Sequence, residues 1–226
     1  MRHLVEPDAR FDLDLSWFIP GFADAGTAVE RLTALDSYRS ASTLFVTPDN
    51  GLARLREQAL RDGKTLVLPS YGLRRGFVAL NGKAIDPSLA RYASWLDGLA
   101  TFGRPVSLDE LGTNYRFDLI VTAASAISSA GQRFGMGSGY LDLEYPILAA
   151  IGTVTAMTPI VALVHDQQYW PETLPTCLSD VCADVIVTPN TVRSVVEAGM
   201  RPTAIDWSIV NPALADEPYF APLLQR

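Results

Sequence analysis

The sequence has few residues of the types that hold metals or form disulfides. Its 226 residues include only two cysteines and two histidines. Cys177 and Cys182 are separated by four residues, a loose spacing for a zinc knuckle, and no second cysteine pair completes a tetrahedral site. His3 and His165 lie elsewhere in the chain. We therefore expect reduced thiols and no zinc site.

The sequence also lacks an excess of positive charge and long apolar runs. Its formal net charge is −7 and its pI is about 4.8, which argues against nucleic-acid binding because that function normally needs a basic face. No run approaches the roughly 18 apolar residues of a membrane helix, and the N-terminus has no apolar signal-peptide segment. We expect a soluble, cytoplasmic protein that binds a small molecule, with no nucleic-acid or membrane partner.

The composition is that of an ordinary globular domain. Hydrophobic residues make up 48% of the chain and charged residues 19%, close to the average for proteins with a full core. The length suits one domain. We expect a single domain over residues 1–226, in which residues 1–20 form an irregular extension.

Apolar strand segments alternate with amphipathic helical segments along the chain. The pattern predicts strands at 43–47, 65–69, 76–80, 117–124, 159–165, 184–188 and 203–210, and helices at 27–35, 48–63, 88–103, 140–152 and 191–199. Nearly continuous apolar strands between helices indicate a mostly parallel sheet that is covered on both faces. The predicted fold class is α/β, a Rossmann-like three-layer sandwich.

The segment "RFGMGSGYLDLE", residues 133–144, places three glycines at alternate positions between an arginine and two carboxylates. Such glycines allow positive φ angles or close approach of a ligand to the backbone. The segment lies between a predicted strand and a predicted helix, where parallel sheets bind ligands and helix N-termini bind anions. Arg133 adds donors suited to phosphate. This pattern favours a phosphate site, although it is neither a P-loop nor G-x-G-x-x-G, and a purely structural turn is the alternative.

Other polar residues lie at the same predicted edge. Asp142 and Glu144 could hold a magnesium ion, or serve only as acids in the first turn of a helix. His165 and Asp166 follow one apolar strand, and Thr188 ends the next. These residues suggest a pocket, but His165 and Asp166 could equally be a structural histidine and a turn residue.

With these segments taken together, the chain resembles the 5-formyltetrahydrofolate cyclo-ligase family, also called methenyltetrahydrofolate synthetases. The family signature is a D-L-I-type strand followed by an arginine and a G-x-G-x-G-Y-Y-D-R-like run, and "FDLIVTAAS…GQRFGMGSGYLD" follows it closely. The downstream segment "ALVHDQQYWPETLPTCLSDVCADVIVTPNTV" matches further family elements in order. The N-terminal half is more similar to a divergent cyclo-ligase-like branch.

The resemblance implies a single-domain architecture shared in outline with sugar-phosphate isomerases and CoA transferases. It also implies an ATP- and Mg²⁺-dependent ligase that converts 5-formyltetrahydrofolate to 5,10-methenyltetrahydrofolate. By this resemblance Arg133 and Asp142 are catalytic, and Asp142 also holds magnesium. The residues that would contact ATP are Arg133, Gly135, Gly137, Ser138, Gly139, Tyr140, Asp166 and Thr188.

The chain departs from the family pattern at several positions. No lysine precedes Lys64, whereas the family has an N-terminal lysine that reaches the phosphates; Arg2 or Arg10 would have to replace it. Leu141 and Leu143 replace the second tyrosine and the closing arginine of the motif. Two alternatives therefore stay open: a related enzyme with another substrate, proposed for this branch in thiamine metabolism, and a non-catalytic ligand-binding protein.

Overall fold

The structure is a computed structural model that describes residues 5, 19–70, 73, 75–135, 140–196, 199, 201–207 and 223. Most of the predicted extension, and the predicted site residues Gly137, Ser138 and Gly139, lie outside these residues. Val5 forms an antiparallel bridge with Phe22.

The described residues form seven α-helices and eleven strands. The helices are α1 (Ala25–Thr33), α2 (Asp36–Ser40), α3 (Ala53–Arg61), α4 (Ala90–Ala93), α5 (Leu96–Phe102), α6 (Leu108–Asn114) and α7 (Tyr140–Ala150). The strands are β1 (Thr43–Val46), β2 (Thr65–Pro69), β3 (Phe77–Asn81), β4 (Arg104–Val106), β5 (Leu119–Thr122), β6 (Ala126–Ser128), β7 (Arg133–Phe134), β8 (Ile160–Leu163), β9 (Tyr169–Trp170), β10 (Val185–Val187) and β11 (Val192–Ser194).

Eight strands form the central sheet in the order β11-β10-β8-β5-β1-β2-β3-β4. The five strands from β10 to β2 are parallel, whereas β3, β4 and β11 are antiparallel to their neighbours. A smaller sheet has the order β7-β6-β9. The prediction of a mostly parallel α/β sheet is confirmed.

The central sheet has a buried core on each face. Successive residues of β1 alternate between the two cores: Leu44 and Val46 pack with helices α1 to α4, and Phe45 packs with α6 and α7. Because side chains of a strand point alternately to opposite faces, a strand buried on both sides must be apolar throughout. This burial explains the continuous apolar runs in the sequence and gives three layers, as expected.

Several local predictions need correction. The predicted helix at 191–199 is wrong, because residues 192–194 form the exposed edge strand β11, in which β-branched Val192 suits the extended backbone. The described part of the predicted last strand, residues 203–207, is not a strand. The predicted helix at 88–103 is divided into α4 and α5, since Trp95 between them is extended.

The loop that was expected before the glycine cluster contains a hairpin, β6–β7. These strands have only three and two residues, too few for their alternation to be visible in the sequence. Pro146 lies inside α7, which begins at Tyr140.

Candidate active site

The strand order reverses direction between β1 and β5, and this reversal creates a crevice at the carboxyl edge of the sheet. From β1 the chain passes to β2 on one side, whereas β5, β8 and β10 follow in order on the other side. In open α/β sheets, ligands bind in the crevice outside the carboxyl ends of the strands at such a point. Asp49 follows β1 there, and Ala123 follows β5.

The hairpin β6–β7 brings Arg133 to this crevice. Gly131 makes the hairpin turn with a φ of 75°, a conformation that favours glycine, and its carbonyl accepts a hydrogen bond of 2.9 Å from the Ala183 N–H. A side chain at this position would place its Cβ only 2.2 Å from the Ala183 oxygen. The close approach fixes the hairpin against the segment before β10, and β7 then starts with Arg133.

Arg133 and Asp142 form an ion pair that is largely buried. Nη2 of Arg133 donates to Oδ1 of Asp142 at 2.7 Å, and the two side chains are only 8% and 18% exposed. Val181 completes the arrangement, because its carbonyl accepts from Nε of Arg133 and its N–H donates to the same Oδ1. Nη1 of Arg133 makes no hydrogen bond with the described residues, so it is the nitrogen open to a ligand.

Glu144 follows Asp142 by two residues in α7 and is 1% exposed. Its Oε2 has no hydrogen-bond partner among the described residues. Burial raises the pKa of Glu144 well above its ordinary range, and the charge of Asp49 raises it further against the opposing effect of Arg133. Burial likewise raises the pKa of Asp49, although Thr47 and the nearby arginines oppose the shift. The crevice thus favours the neutral form of at least one carboxyl group.

Two residues beside the crevice, Asp49 and Arg56, carried no functional signal in the sequence. The side chain of Asp49 does not cap the turn that follows β1; its Oδ2 accepts from the Thr47 hydroxyl at 2.5 Å. Arg56 is only 1% exposed on α3, and it donates to the backbone oxygens of Thr47, Asp49 and Ser94. In the sequence Arg56 is one more arginine of an amphipathic helix, so only the fold shows that it supports the segment after β1.

The ends of β8 and β10 also meet, as predicted. Asp166 accepts from the Thr188 hydroxyl at 2.5 Å and from Nδ2 of Asn190 at 2.8 Å. His165 has the structural role considered for it, since its Nδ1 accepts from the Gln167 N–H while its own N–H donates to Gln168. These bonds form a capping box on the short 3-10 turn Asp166–Gln168.

Both lysines of the chain lie at the opposite, amino edge of the sheet. Lys64 directly precedes β2, where its ammonium group donates to the backbone oxygens of Tyr38 and Ala41. Lys83 lies in the turn after β3, which runs antiparallel to β2. Positive charge for a ligand at the carboxyl edge therefore has to come from arginine. Arg2 and Arg10 lie outside the described residues.

The described residues around Asp142 do not make a magnesium site of their own. Oδ1 of Asp142 already receives two donors, and the neighbouring guanidinium of Arg133 would repel a cation. Within the described ranges no three histidine, cysteine, aspartate or glutamate side chains are grouped so as to hold a metal. A magnesium ion would fit here only if bound phosphates supplied most of its ligands, which is how this ion is commonly held. Asp142 as a metal ligand stays a prediction.

Of the other predicted nucleotide contacts, Gly135 follows β7, and Tyr140 is the first residue of α7. An added Cβ at Gly135 would have no neighbour within 4 Å in the described structure, so packing does not explain this glycine. The two residues that depart from the family motif, Leu141 and Leu143, are buried in the core. The structure thus brings Arg133 together with Asp142, and Asp166 together with Thr188; their nucleotide contacts stay predictions.

Comparison with known proteins assigns the chain to a family. The profile of the 5-formyltetrahydrofolate cyclo-ligase family matches residues 5–189, which is most of the chain. The chain belongs to this family. It is 36% identical over 200 residues to the methenyltetrahydrofolate synthase domain-containing protein of Mus musculus, and 32% identical over 196 residues to that of Homo sapiens.

These alignments cover 85% and 84% of this chain but only 52% and 49% of the relatives, so the chain spans about half their length. Among solved structures, the NMR structure of Aquifex aeolicus 5,10-methenyltetrahydrofolate synthetase is similar, with a TM-score of 0.50 and 19% identity. That match covers 79% of this chain and 84% of the other, and it supports the fold. Among the helices of the described ranges, none has the length and apolar character needed to span a membrane.

Proposed function

We propose that this cyclo-ligase family member closes a ring on a formylated reduced folate at the expense of ATP. The formyl oxygen of 5-formyltetrahydrofolate would attack the γ-phosphorus and release ADP. N10 would then attack the activated carbon and lose its proton to water, and phosphate would leave with the former formyl oxygen to give 5,10-methenyltetrahydrofolate. These steps depend more on positioning the ATP phosphates and neutralising their charge than on a covalent nucleophile of the protein.

The position of Arg133 is the observation that carries this proposal. Its guanidinium lies in the crevice directly before the glycine segment, and two of its nitrogens are fixed by Asp142 and Val181. Nη1 can then donate to a phosphate oxygen without losing those bonds. A guanidinium that is already fixed by the protein before the ligand arrives loses little side-chain entropy when it binds phosphate.

The carboxyl groups of the crevice affect how well it can accept a polyanion. Asp49, Asp142 and Glu144 would together repel phosphate if all three were charged. Because burial raises the pKa of both Asp49 and Glu144, the neutral form of these groups is favoured and the positive charge of Arg133 is less offset. This arrangement supports anion binding at a site that lacks lysine.

One observation favours the alternative of binding without turnover. The two motif positions that differ from the family, Leu141 and Leu143, are 3% and 6% exposed and pack in the core. They supply no polar group to a ligand, so the chain would work without the motif tyrosine and arginine. A protein that binds the nucleotide but has lost the chemistry would show the same feature.

The test is turnover of 5-formyltetrahydrofolate with ATP and magnesium, followed by the near-ultraviolet absorbance of the methenyl product, together with calorimetric binding of Mg-ATP. We expect product formation that needs ATP. Arg133→Ala should weaken ATP binding by about tenfold or more, as expected for loss of a hydrogen bond to a charged group. The matched control is Arg104→Ala at the amino edge, which should bind and turn over like the wild type.

The outcomes distinguish the proposed ligase from its alternatives. Product formation that survives Arg133→Ala unchanged would refute the assignment of this arginine. ATP binding that depends on Arg133, without product, would indicate the binding protein or another acceptor. If the wild-type chain binds no ATP, the proposed function is wrong.

A further inference from the structure

Beyond the crevice, the carboxyl edge carries an open cavity of about 360 Å³. It lies between the first turn of α1 and the segments that follow β8 and β10. Its polar lining consists of Asp24, Thr27, His165, Asp166, Gln167 and Asn190. None of the described residues that line it is an arginine or a lysine, so the cavity is not built for phosphate.

The lining presents several hydrogen-bond acceptors. The carboxylate of Asp24 makes no hydrogen bond with the described residues and does not cap α1. Each oxygen of Asp166 accepts one bond from within the protein, from Thr188 and from Asn190, which leaves further acceptor capacity on both. Because Nδ2 of Asn190 is used in that bond, its side-chain oxygen is left as another acceptor.

Donors lie beside these acceptors. Nδ1 of His165 accepts from the Gln167 N–H at 3.1 Å, so the neutral imidazole carries its proton on Nε2. The ring is held in place by an edge contact with Phe22, with 5.9 Å between the ring centroids. Thr27 and the amide of Gln167 can both donate and accept. A ligand group that fits must therefore offer donors to two carboxylates and accept a bond in return.

We propose that this cavity binds the hydroxyl groups of a sugar ring, which, if the proposed function holds, are those of the ATP ribose. Vicinal hydroxyls donate to carboxylates and accept from neighbouring donors, and an acidic residue beside the ribose is a common device of nucleotide-binding α/β folds. The inference rests on the proposed function only for the source of the sugar. It assigns Asp24 and Asp166 as sugar-binding residues.

The spacing of the strands agrees with this assignment. The crevice with Arg133 lies outside β1 and β5, and the cavity lies outside β8 and β10, the next two strands of the sheet. Neighbouring strands are about 4.8 Å apart, so the ends of these two strand pairs are separated by roughly 5–10 Å along the edge. The phosphate chain of a nucleotide can span this separation, with its terminal phosphate at Arg133 and its ribose in the cavity.

The test compares four ligands by calorimetry: ATP, 2′-deoxy-ATP, 3′-deoxy-ATP and inorganic tripolyphosphate. Wild-type protein should bind ATP about tenfold more tightly than at least one deoxy form. Asp24→Asn and Asp166→Asn should abolish that preference and leave tripolyphosphate binding intact. Asp24→Asn removes no hydrogen bond within the described structure, so it tests the proposal even if Asp166→Asn disturbs folding.

Asp36→Asn is the control with the same change of charge, because Asp36 lies on α2 with its side chain 95% exposed. It should keep the preference for ATP. Equal affinity for ATP and both deoxy forms would overturn the proposal, as would an Asp24→Asn variant that keeps the wild-type preference.

A protein that binds no ATP would refute the proposed function and the ribose of ATP as the source of the sugar. The same cavity is then tested with free ribose and 2-deoxyribose at millimolar concentration by saturation-transfer NMR. Transfer to ribose that Asp24→Asn removes would uphold a sugar site. The absence of transfer to either sugar would overturn it.

Discussion

The two edges of the central sheet each carry an ion pair of arginine and carboxylate with nearly the same geometry. At the carboxyl edge Arg133 contacts Asp142 at 2.7 Å, and at the amino edge Arg104 contacts Glu110 at 2.6 Å. The environments differ: the first pair is 8% and 18% exposed, the second 58% and 30%. Contact distance alone therefore says little about what either pair does.

Burial makes the difference because charges must lose water to enter a protein interior. A pair at the surface stays hydrated and is screened by salt, so it changes stability little. A buried pair brings a desolvation penalty that its attraction barely offsets, and removing one partner leaves an uncompensated charge. A pair kept in the crevice despite this penalty supports the proposed role in binding, whereas a surface pair needs no such role.

Cavity size does not distinguish the edges in the same way. The amino edge has a cavity of about 680 Å³ beside Arg104, larger than the one of about 360 Å³ at the carboxyl edge. The strand reversal and the buried carboxyl groups of Asp49 and Glu144 lie at the carboxyl edge. Topology and electrostatics, rather than volume, locate the site.

Loss of Arg133 should destabilise the protein more than any other single substitution at these two ion pairs. Arg133→Met should lower the free energy of unfolding by about 2–3 kcal/mol, because Asp142, whose side chain is only 18% exposed, loses its counter-charge. Urea unfolding followed by tryptophan fluorescence measures this change. The double variant Arg133→Met/Asp142→Leu should recover most of the lost stability without recovering ATP binding. A single variant as stable as the wild type would show that the pair is not desolvated.

The sequence predicted the elements whose residues repeat with a clear period. Strands with continuous apolar runs, such as β5 and β8, and the amphipathic helix α3 were found because burial imposes those patterns. The short edge strand β11 was taken for a helix, since three exposed residues carry no periodicity.

The candidate site was predictable only in part, for a related reason. Arg133 and Asp142 belong to a local motif, so sequence alone brought them together. Asp49 and Glu144 are far apart in the sequence, and their interaction depends on the crossover that places β1 beside β5. Burial raises the pKa of both residues. Because burial is a property of the fold, the residues adjacent to them in the sequence do not reveal it.

The two edges should also differ in how stability depends on pH. The pKa of Glu144 lies well above its ordinary value of 4.5 in the folded protein, so above that pH the unfolded chain releases a proton that the folded chain keeps. Stability should therefore fall as the pH rises, until Glu144 ionises in the folded state. Glu144→Gln removes this titrating carboxyl group. Its free energy of unfolding relative to the wild type should therefore increase from about pH 5 to pH 8 in urea unfolding.

The matched variant for that experiment is Glu110→Gln. A hydrogen bond from Arg104 lowers the pKa of Glu110, so its contribution has the opposite sign and is lost as the pH falls. Glu110→Gln should gain no stability relative to the wild type between pH 5 and pH 8. Asp49 keeps part of the slope in Glu144→Gln, because its pKa is raised in the same direction. A flat difference for Glu144→Gln would show that Glu144 is charged in the folded protein.

The smallest effect is expected at the amino edge. Arg104→Met removes the bonds to Glu110 and to the Tyr115 hydroxyl, but all three groups remain accessible to water. Water replaces these bonds on removal, so the urea midpoint should hardly move, and added salt should shrink even that difference. The affinity for ATP should also stay at its wild-type value. A loss of stability comparable to that of Arg133→Met, or a loss of ATP affinity, would mean that the two edges do not differ in the way that burial predicts.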